Sequence, residues 1–427
     1  NLFMKIIYFH QYFSTPEGAA GTRSYFFAKK LVESGHHVQM VCLSNVGCNT
    51  GLNNSFRKNV RKGNVEGIEV IEFNFKYSNK LNLRKRLVVF MQYSLEALKL
   101  ALRSNADLIF CSSTPLSVSM PGIFCRWIKG TPFVFEVRDL WPELPLAMGL
   151  KLNPVVHYIV KIFEKLSYKS ADKLIGLAPG ICSGILSNNI DEKKIINIPN
   201  GCDLNLFYPS ENFLKKDIES IKSDKDNSSK QFIAAFTGAH GLANGLDALL
   251  DVAVELKKIG NQNIQIVFIG EGSQKLRLIK RSKKELLDNC HFLNPMPRWK
   301  LAEVLRNNVN VGLMILDDIP AFQYGTSPNK FFDYLASGLP VITNYPGWIA
   351  DLVDKNIIGK NVKPKDPKTF AETLIFMSEN ESLVEIYSKN SRLLGTKYFS
   401  RDLQVIKFNS LIERVFRENG NRRERYL

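Results

Sequence analysis

Tyr8-Phe9-His10-Gln11-Tyr12-Phe13-Ser14-Thr15-Pro16-Glu17-Gly18-Ala19-Ala20-Gly21-Thr22-Arg23 places a glycine-rich turn between an apolar run, Ile6–Phe9, and a helical pattern. Roughly halfway down the chain, Phe236-Thr237-Gly238-Ala239-His240-Gly241-Leu242-Ala243-Asn244-Gly245-Leu246-Asp247 repeats that order of strand, glycine turn and helix. Glycines at such turns let backbone N–H groups approach a ligand, and the N-terminus of the helix that follows favours negative charge. Two turns of this kind imply two nucleotide-type halves facing one cleft, with Gly18, Gly21, Gly238 and Gly241 close to an anionic ligand.

Working outward, apolar runs and helical periodicities alternate. Strands are expected at Lys5–Phe9, Val38–Leu43, Ile68–Phe73, Asp107–Cys111, Phe133–Val137, Lys173–Gly176 and Ile195–Ile198, with helices at Ala20–Ser34, Leu83–Arg103, Leu116–Lys129, Val155–Ser170 and Gly180–Leu186. Lys215–Lys230 reads as a solvated connection. The pattern then restarts, with strands expected at Phe232–Phe236, Ile264–Ile269, His291–Leu293, Asn310–Met314 and Pro340–Thr343. Helices are expected at Gly245–Ile259, Gln274–Asp288, Lys300–Asn307, Asn329–Ser337 and from Pro367 onward. Such alternation argues for an α/β fold of parallel sheets covered on both faces. The domains are read as 4–205 and 206–398, with 399–427 a helical segment crossing back to the first.

The 427 residues are 45% apolar and 23% charged, which suits two globular domains and excludes extended disorder. A net charge of +16 favours an anionic partner. Between Gly51 and Arg103, eleven Lys/Arg face four Glu, a net of +7. Nucleic acid, an anionic membrane or a merely solvated basic face all fit that excess. Arg84-Lys85-Arg86 ahead of Leu87–Met91 favours the membrane, because basic and apolar groups together suit an interface. Seven cysteines with no C-x-x-C pair fit a reduced, cytoplasmic setting. The six histidines show no metal spacing. No run reaches the ~18 apolar residues of a membrane span, no secretory leader is read, and Asn1–Phe3 read as residues added ahead of a start Met4.

Two further segments carry chemistry. In Phe135-Glu136-Val137-Arg138-Asp139-Leu140-Trp141-Pro142-Glu143 a buried strand ends in polar residues. Ligands of open α/β sheets bind at strand carboxyl ends, so Arg138, Asp139 and Glu143 would border the cleft; a structural Arg–Asp pair is the alternative. In Gly325-Thr326-Ser327-Pro328-Asn329-Lys330-Phe331-Phe332-Asp333-Tyr334-Leu335-Ala336-Ser337-Gly338-Leu339-Pro340, Ser327 or Asn329 would cap a helix and make a second anion site. Lys330 adds positive charge, and Asp333 could accept from sugar hydroxyls. A plain amphipathic helix is the alternative.

With the N-terminal glycine turn, Asn200-Gly201-Cys202-Asp203, the Gly238 turn and Asp333–Pro340 in view, the chain resembles the retaining glycosyltransferases of family 4 over almost its whole length. Arg138-Asp139-Leu140-Trp141-Pro142-Glu143 is similar to a subgroup working on bacterial O-antigen, capsule or exopolysaccharide. The resemblance implies the GT-B architecture, two facing Rossmann-like domains with a central cleft. It implies a nucleotide sugar on the C-terminal domain and an acceptor, often a lipid-linked saccharide, on the N-terminal one. Gly325 and Asp333 stand where the family has two glutamates, and the resemblance assigns Asp333 to the ribose hydroxyls. Ala239 and Asn244 stand where it has the diphosphate-binding Arg and Lys, and Arg138 where it has a histidine. Positive charge is then expected from Lys330 first, and from Arg298 and His240. The segment containing Met296 and Arg298 resembles the family's base-binding stretch.

Breaking an anomeric bond develops negative charge on the leaving diphosphate. Preorganised N–H groups and a cation each stabilise it by on the order of 2.7–4 kcal/mol. The expected enzyme is a metal-independent transferase without a cofactor, and the resemblance implies that it retains the anomeric configuration. It would move a sugar, an N-acetylated hexosamine or deoxyhexosamine, from a UDP-sugar to a polyprenyl-diphosphate-linked saccharide at the inner membrane face. Its donor contacts would be Gly18, Gly21, Gly238, His240, Gly241, Met296, Arg298, Ser327, Asn329, Lys330 and Asp333. The resemblance implies same-face attack by the acceptor, with Asp139 or Glu143 as base candidates. A nucleotide-sugar epimerase of the same fold leaves the basic apolar patch unexplained. A nucleic-acid-binding protein lacks a recognition motif, and a dinucleotide oxidoreductase lacks G-x-G-x-x-G.

Overall fold

The computed structural model describes residues 3–45, 47–77, 83–147, 149, 151–207 and 231–424, so the connection at Lys215–Lys230 lies outside the described residues. The chain forms two compact units. One is Asn1–Asn200 with Gly325–Ser327 and Asp402–Leu427; the other is Gly201–Tyr324 with Pro328–Arg401.

In the first unit, β1 (Lys5–Phe9), β2 (His37–Asn45), β3 (Val60–Val65), β4 (Ile68–Tyr77), β5 (Leu108–Ser112), β6 (Phe133–Val137), β7 (Lys173–Gly176) and β8 (Ile195–Asn197) form one sheet. Its order is β3-β4-β2-β1-β5-β6-β7-β8. All pairings are parallel except β3 with β4. Parallel strands covered on both faces need continuous apolar runs. β5 and β6 are buried at every position. The strand order reverses between β1 and β5, and in open α/β sheets ligands bind at the strand carboxyl ends beside such a reversal.

Burying β6 also buries Glu136, which is 0% exposed. Arg23, at the start of the helix Arg23–Glu33, compensates it with Nε and Nη2 at 2.9 and 2.8 Å from Oε2. Ser112 Oγ donates to Oε1 at 2.7 Å. Arg23 also donates to the carbonyls of Pro199 and Ile198, at 2.7 and 2.8 Å, and so ties the first helix to the chain beyond β8.

The second unit's sheet holds β9 (Phe232–Thr237), β10 (Ile264–Ile269), β11 (Cys290–Leu293), β12 (Val311–Met314), β13 (Val341–Thr343) and β14 (Gly359–Asn361). All pairings are parallel, in the order β11-β10-β9-β12-β13-β14. This is the Rossmann order, with its reversal between β9 and β12. Its core packs Phe236, Leu249, Leu256, Phe268 and Leu313 between the sheet and its helices.

Two strands are absent from the sequence reading, β3 and β14. Both are edges with mostly half-buried or exposed residues, so neither leaves an apolar run. The expected helix over Gln274–Asp288 is shorter, Lys275–Lys284, and Trp348–Lys355 is a further helix. All seven cysteines are unbridged.

The helix Arg401–Glu424 follows the second unit in sequence, and from Asp402 on it belongs to the first. Phe408, 0% exposed, stacks on Phe27 at 4.2 Å and meets Phe110 edge-on at 5.0 Å. Phe408→Ala is expected to destabilise the first unit by about 3–5 kcal/mol, read as a lowered denaturant midpoint.

Candidate active site

In the second unit the ends of β9 and β10 interlock. Gly270 has φ +152°, and a Cβ there would stand 1.9 Å from the Gly238 carbonyl oxygen, so only glycine fits. The Gly238 and His240 amides donate to the carbonyls of Ile269 and Glu271, both at 2.9 Å. Lys275 Nζ fastens the same loops, donating to the Gly270 and Leu293 carbonyls at 2.9 and 3.0 Å and to Asn294 Oδ1 at 2.9 Å.

The helix Asn329–Ser337 brings its first turn to this edge. Pro328 occupies its N-cap, and no side chain caps it. The expected cap by Ser327 or Asn329 is therefore not formed. Ser327 belongs to the first unit, where its hydroxyl accepts from the Asn200 amide at 3.2 Å and its carbonyl from Asn200 Nδ2 at 2.6 Å. Asn329 is half-buried on the first turn of the helix.

Lys330 Nζ lies 3.9 Å from the centre of the Phe236 ring and donates to Asn244 Oδ1 at 2.8 Å. Among the described residues no carboxylate pairs with it. Burial pushes the ammonium down to about 7, because a charge taken out of water without an anion is disfavoured. A Cβ on Gly238 would meet Lys330 Cε at 3.3 Å, so that glycine also leaves room for the lysine.

The other two expected cations are not available in this way. Arg298 is buried and gripped by Asp333, with Nη1 to Oδ2 at 3.1 Å and Nη2 to Oδ1 at 2.5 Å. Both Asp333 carboxylate oxygens thus face a guanidinium, and the residue is 3% exposed. His240 is 0% exposed, lies against Phe236, Phe268 and Phe292, and among the described residues has no hydrogen-bond partner at either ring nitrogen. Burial, with Lys275 nearby, pushes its imidazole down to about 4, so it is neutral at pH 7. Gly241 precedes a short turn of helix, and Met296 is half-buried in the stretch between β11 and Arg298.

In the first unit, Gly18 and Gly21 lie in the turn after β1, where the amides of Ala19 and Ala20 donate to the Gly47 carbonyl at 3.0 and 3.2 Å. Arg138 and Asp139 follow β6. Arg138 Nη1 donates to His10 Nε2 at 3.1 Å, so His10 is left to donate from Nδ1 to Ser24 Oγ at 2.9 Å. Burial, then Arg138 and Arg23, hold His10 well below the usual imidazole range. Thr114 Oγ1 donates to Asp139 Oδ2 at 2.7 Å. The ends of β1, β5 and β6 thereby bring His10, Thr114, Arg138 and Asp139 together. Glu143 is elsewhere, exposed and paired with Lys161. His10 is not among the residues expected from the sequence, although it is the first polar residue after β1, as Arg138 is after β6.

Among the described residues no group of three His, Cys, Asp or Glu side chains could hold a metal ion, and no helix is long and apolar enough to cross a membrane.

Residues 18–201 match the family model described as glycosyl transferase 4-like domain, and residues 217–394 match that of glycosyl transferases group 1. An uncharacterized glycosyltransferase of Methanocaldococcus jannaschii is 21% identical over 62% of this chain, and the match spans 64% of that relative's own length. HepE of Anabaena in complex with UDP-glucose superposes with a TM-score of 0.68 at 14% identity, covering 96% of this chain and 99% of HepE. WaaG, a glycosyltransferase involved in lipopolysaccharide biosynthesis, superposes with a TM-score of 0.66 at 15% identity, covering 95% and 98%. At these identities the two superpositions are likenesses of fold.

Asp333→Ala would leave Arg298 charged and buried without its anion. It is expected to lower stability by about 3–5 kcal/mol, seen in denaturant unfolding before any nucleotide is added.

Proposed function

The chain is a family 4-like glycosyltransferase of GT-B fold, and we propose that it transfers a sugar, with retention, from a UDP-linked donor to a lipid-linked saccharide in bacterial surface polysaccharide synthesis. The proposed sugar is an N-acetylated hexosamine or deoxyhexosamine. The second unit is the proposed donor unit and the first the acceptor unit, working in the cytoplasm at the inner face of an anionic membrane contacted through basic residues of 57–103. HepE carries UDP-glucose and WaaG serves lipopolysaccharide synthesis, and both support this reading.

The observation that carries it is Lys330, a half-buried ammonium that burial pushes down to about 7 and that, among the described residues, has no carboxylate beside it. A diphosphate at the start of the helix Asn329–Ser337 supplies the missing anion. The helix's uncapped amides and the amides of Ala239 and Gly241 are the donors proposed to complete the cradle. As the anomeric bond breaks, the charge growing on the leaving UDP is met by Lys330 and these dipoles, with no reorganisation required. Arg298 and Asp333 act one step back, by holding the helix. The acceptor attacks from the face the UDP leaves, and Arg138, Asp139 and His10 are the proposed polar edge that orients it. Among the base candidates Asp139 is favoured over Glu143, which Lys161 occupies.

Lys330→Ala is expected to lower transfer more than tenfold while the thermal unfolding curve keeps its shape; unchanged turnover removes Lys330 from the chemistry. A panel of nucleotides tests the donor class. UDP at about 100 times its dissociation constant should stabilise by about 2.7 kcal/mol, and a shift with GDP alone would overturn the UDP assignment.

Binding a UDP-sugar should also draw a proton onto Lys330. The free ammonium titrates at about 7, and the bound anion raises that value. Donor affinity should then be full below pH 7 and decline as pH rises above it. Calorimetry in buffers of different ionisation enthalpy, at pH 8, should show proton uptake that Lys330→Ala abolishes.

A further inference from the structure

The helix Pro154–Ser170 is built the wrong way round for a sheet-covering helix. Its inward side is polar: Glu164 is 1% exposed, and Ser167 and Tyr168 are 0%. Lys161 Nζ and Tyr168 Oη satisfy Glu164 at 3.1 and 2.9 Å, and Ser167 Oγ bonds Ser119 Oγ at 2.8 Å. The outward side is apolar. Val155, Ile159, Ile162 and Leu166 recur at helical spacing, with Tyr158 beside them, and Val155, Tyr158 and Ile159 are 65%, 68% and 57% exposed. The stripe lies opposite the buried side, so no repacking against the sheet covers it.

The neighbouring helix Met120–Lys129, which packs against this one, adds exposed Trp127 and Ile128. It packs on its other side against the helix Leu83–Arg103, where Leu87, Val88 and Met91 are also exposed. Exposed apolar surface on three adjacent helices marks an interaction surface. Its charge identifies the occupant. Lys165 and Lys169 are exposed along one flank of the stripe, and Arg126 and Lys169 border the same surface hollow as Trp127. The acidic groups facing this region are already tied: Glu143 and Glu164 to Lys161, and Asp172 to Arg126 at 3.2 Å. Asp191 and Glu418 border the hollow too, beside Lys173, Lys193 and Lys194.

We propose that the helix Pro154–Ser170 lies in the headgroup boundary of an anionic bilayer, its aliphatic stripe inserted and its lysines on the phosphates, with Trp127 seated beside it. This arrangement is that of an interfacial amphipathic helix. It rests on the membrane partner proposed above and moves the inserting surface to a different element.

The test is co-sedimentation of the full chain with phosphatidylcholine vesicles, with and without phosphatidylglycerol, for the native chain, Val155→Ser/Tyr158→Ser/Ile159→Ser, Lys165→Glu/Lys169→Glu and Arg84→Gln/Lys85→Gln/Arg86→Gln. The native chain should prefer the anionic vesicles. The serine variant should lose at least tenfold in partitioning, and the glutamate variant should lose the anionic preference. Stabilisation by UDP should be kept in both, which separates this result from any failure of the donor reading. Partitioning of the serine variant equal to that of the native chain overturns the inference. If binding is lost instead only in the glutamine variant, a membrane partner stands but this helix is not its anchor. A native chain that ignores vesicles, and sediments as a dimer that the serine variant disperses, also overturns it and assigns the face to a second copy.

Discussion

The bidentate ion pair between Arg298 and Asp333 fixes the helix on which the proposed chemistry depends. Both groups are buried, and Asp333 sits one turn after Asn329. A carboxylate and a guanidinium out of water hold each other in a planar fork, which adds geometric specificity to the position and rotation of the helix. That rotation delivers Lys330 to the face of Phe236 at the end of β9. Asp333 is thus paired with Arg298, while Lys330, three positions earlier, has no carboxylate partner among the described residues.

This division of labour bears on the charged positions that the family resemblance implies and this chain lacks. With Ala239, Asn244 and Gly325 at positions the resemblance gives to charged groups, Lys330 is left as the half-buried cation at the end of β9. Asn244 is neutral, yet its side-chain oxygen meets Lys330 at 2.8 Å. It steadies the ammonium without neutralising it, which a carboxylate would do. Glycines at 238 and 270 keep the strand ends close enough for this packing.

Most of the fold was legible because parallel strands buried on two faces must be apolar throughout. The expected runs at Lys5–Phe9, Phe133–Val137 and Ile264–Ile269 coincide with β1, β6 and β10. The edge strands β3 and β14 escaped because one neighbour and an exposed face impose no such demand. In the site, the glycine turns and Lys330 stood out locally. The partners of Asp333 and Arg138 did not, since Arg298 and His10 lie 35 and 128 residues away in the chain. The helix Pro154–Ser170 shows a different limit. Its periodicity declares an apolar stripe, but which way the stripe faces is decided by Glu164, Ser167 and Tyr168 finding partners inside.

The return of the chain after Arg401 bears on how this protein is made. The aromatic nest of Phe27 and Phe110 is closed by Phe408. As the polypeptide leaves the ribosome, the unit that starts first therefore waits with an open seam until residues beyond 402 emerge, while the unit that starts second has all of its residues by 401. The half translated later thus has its full set of residues first, and until then the earlier half exposes the apolar seam that Phe408 covers.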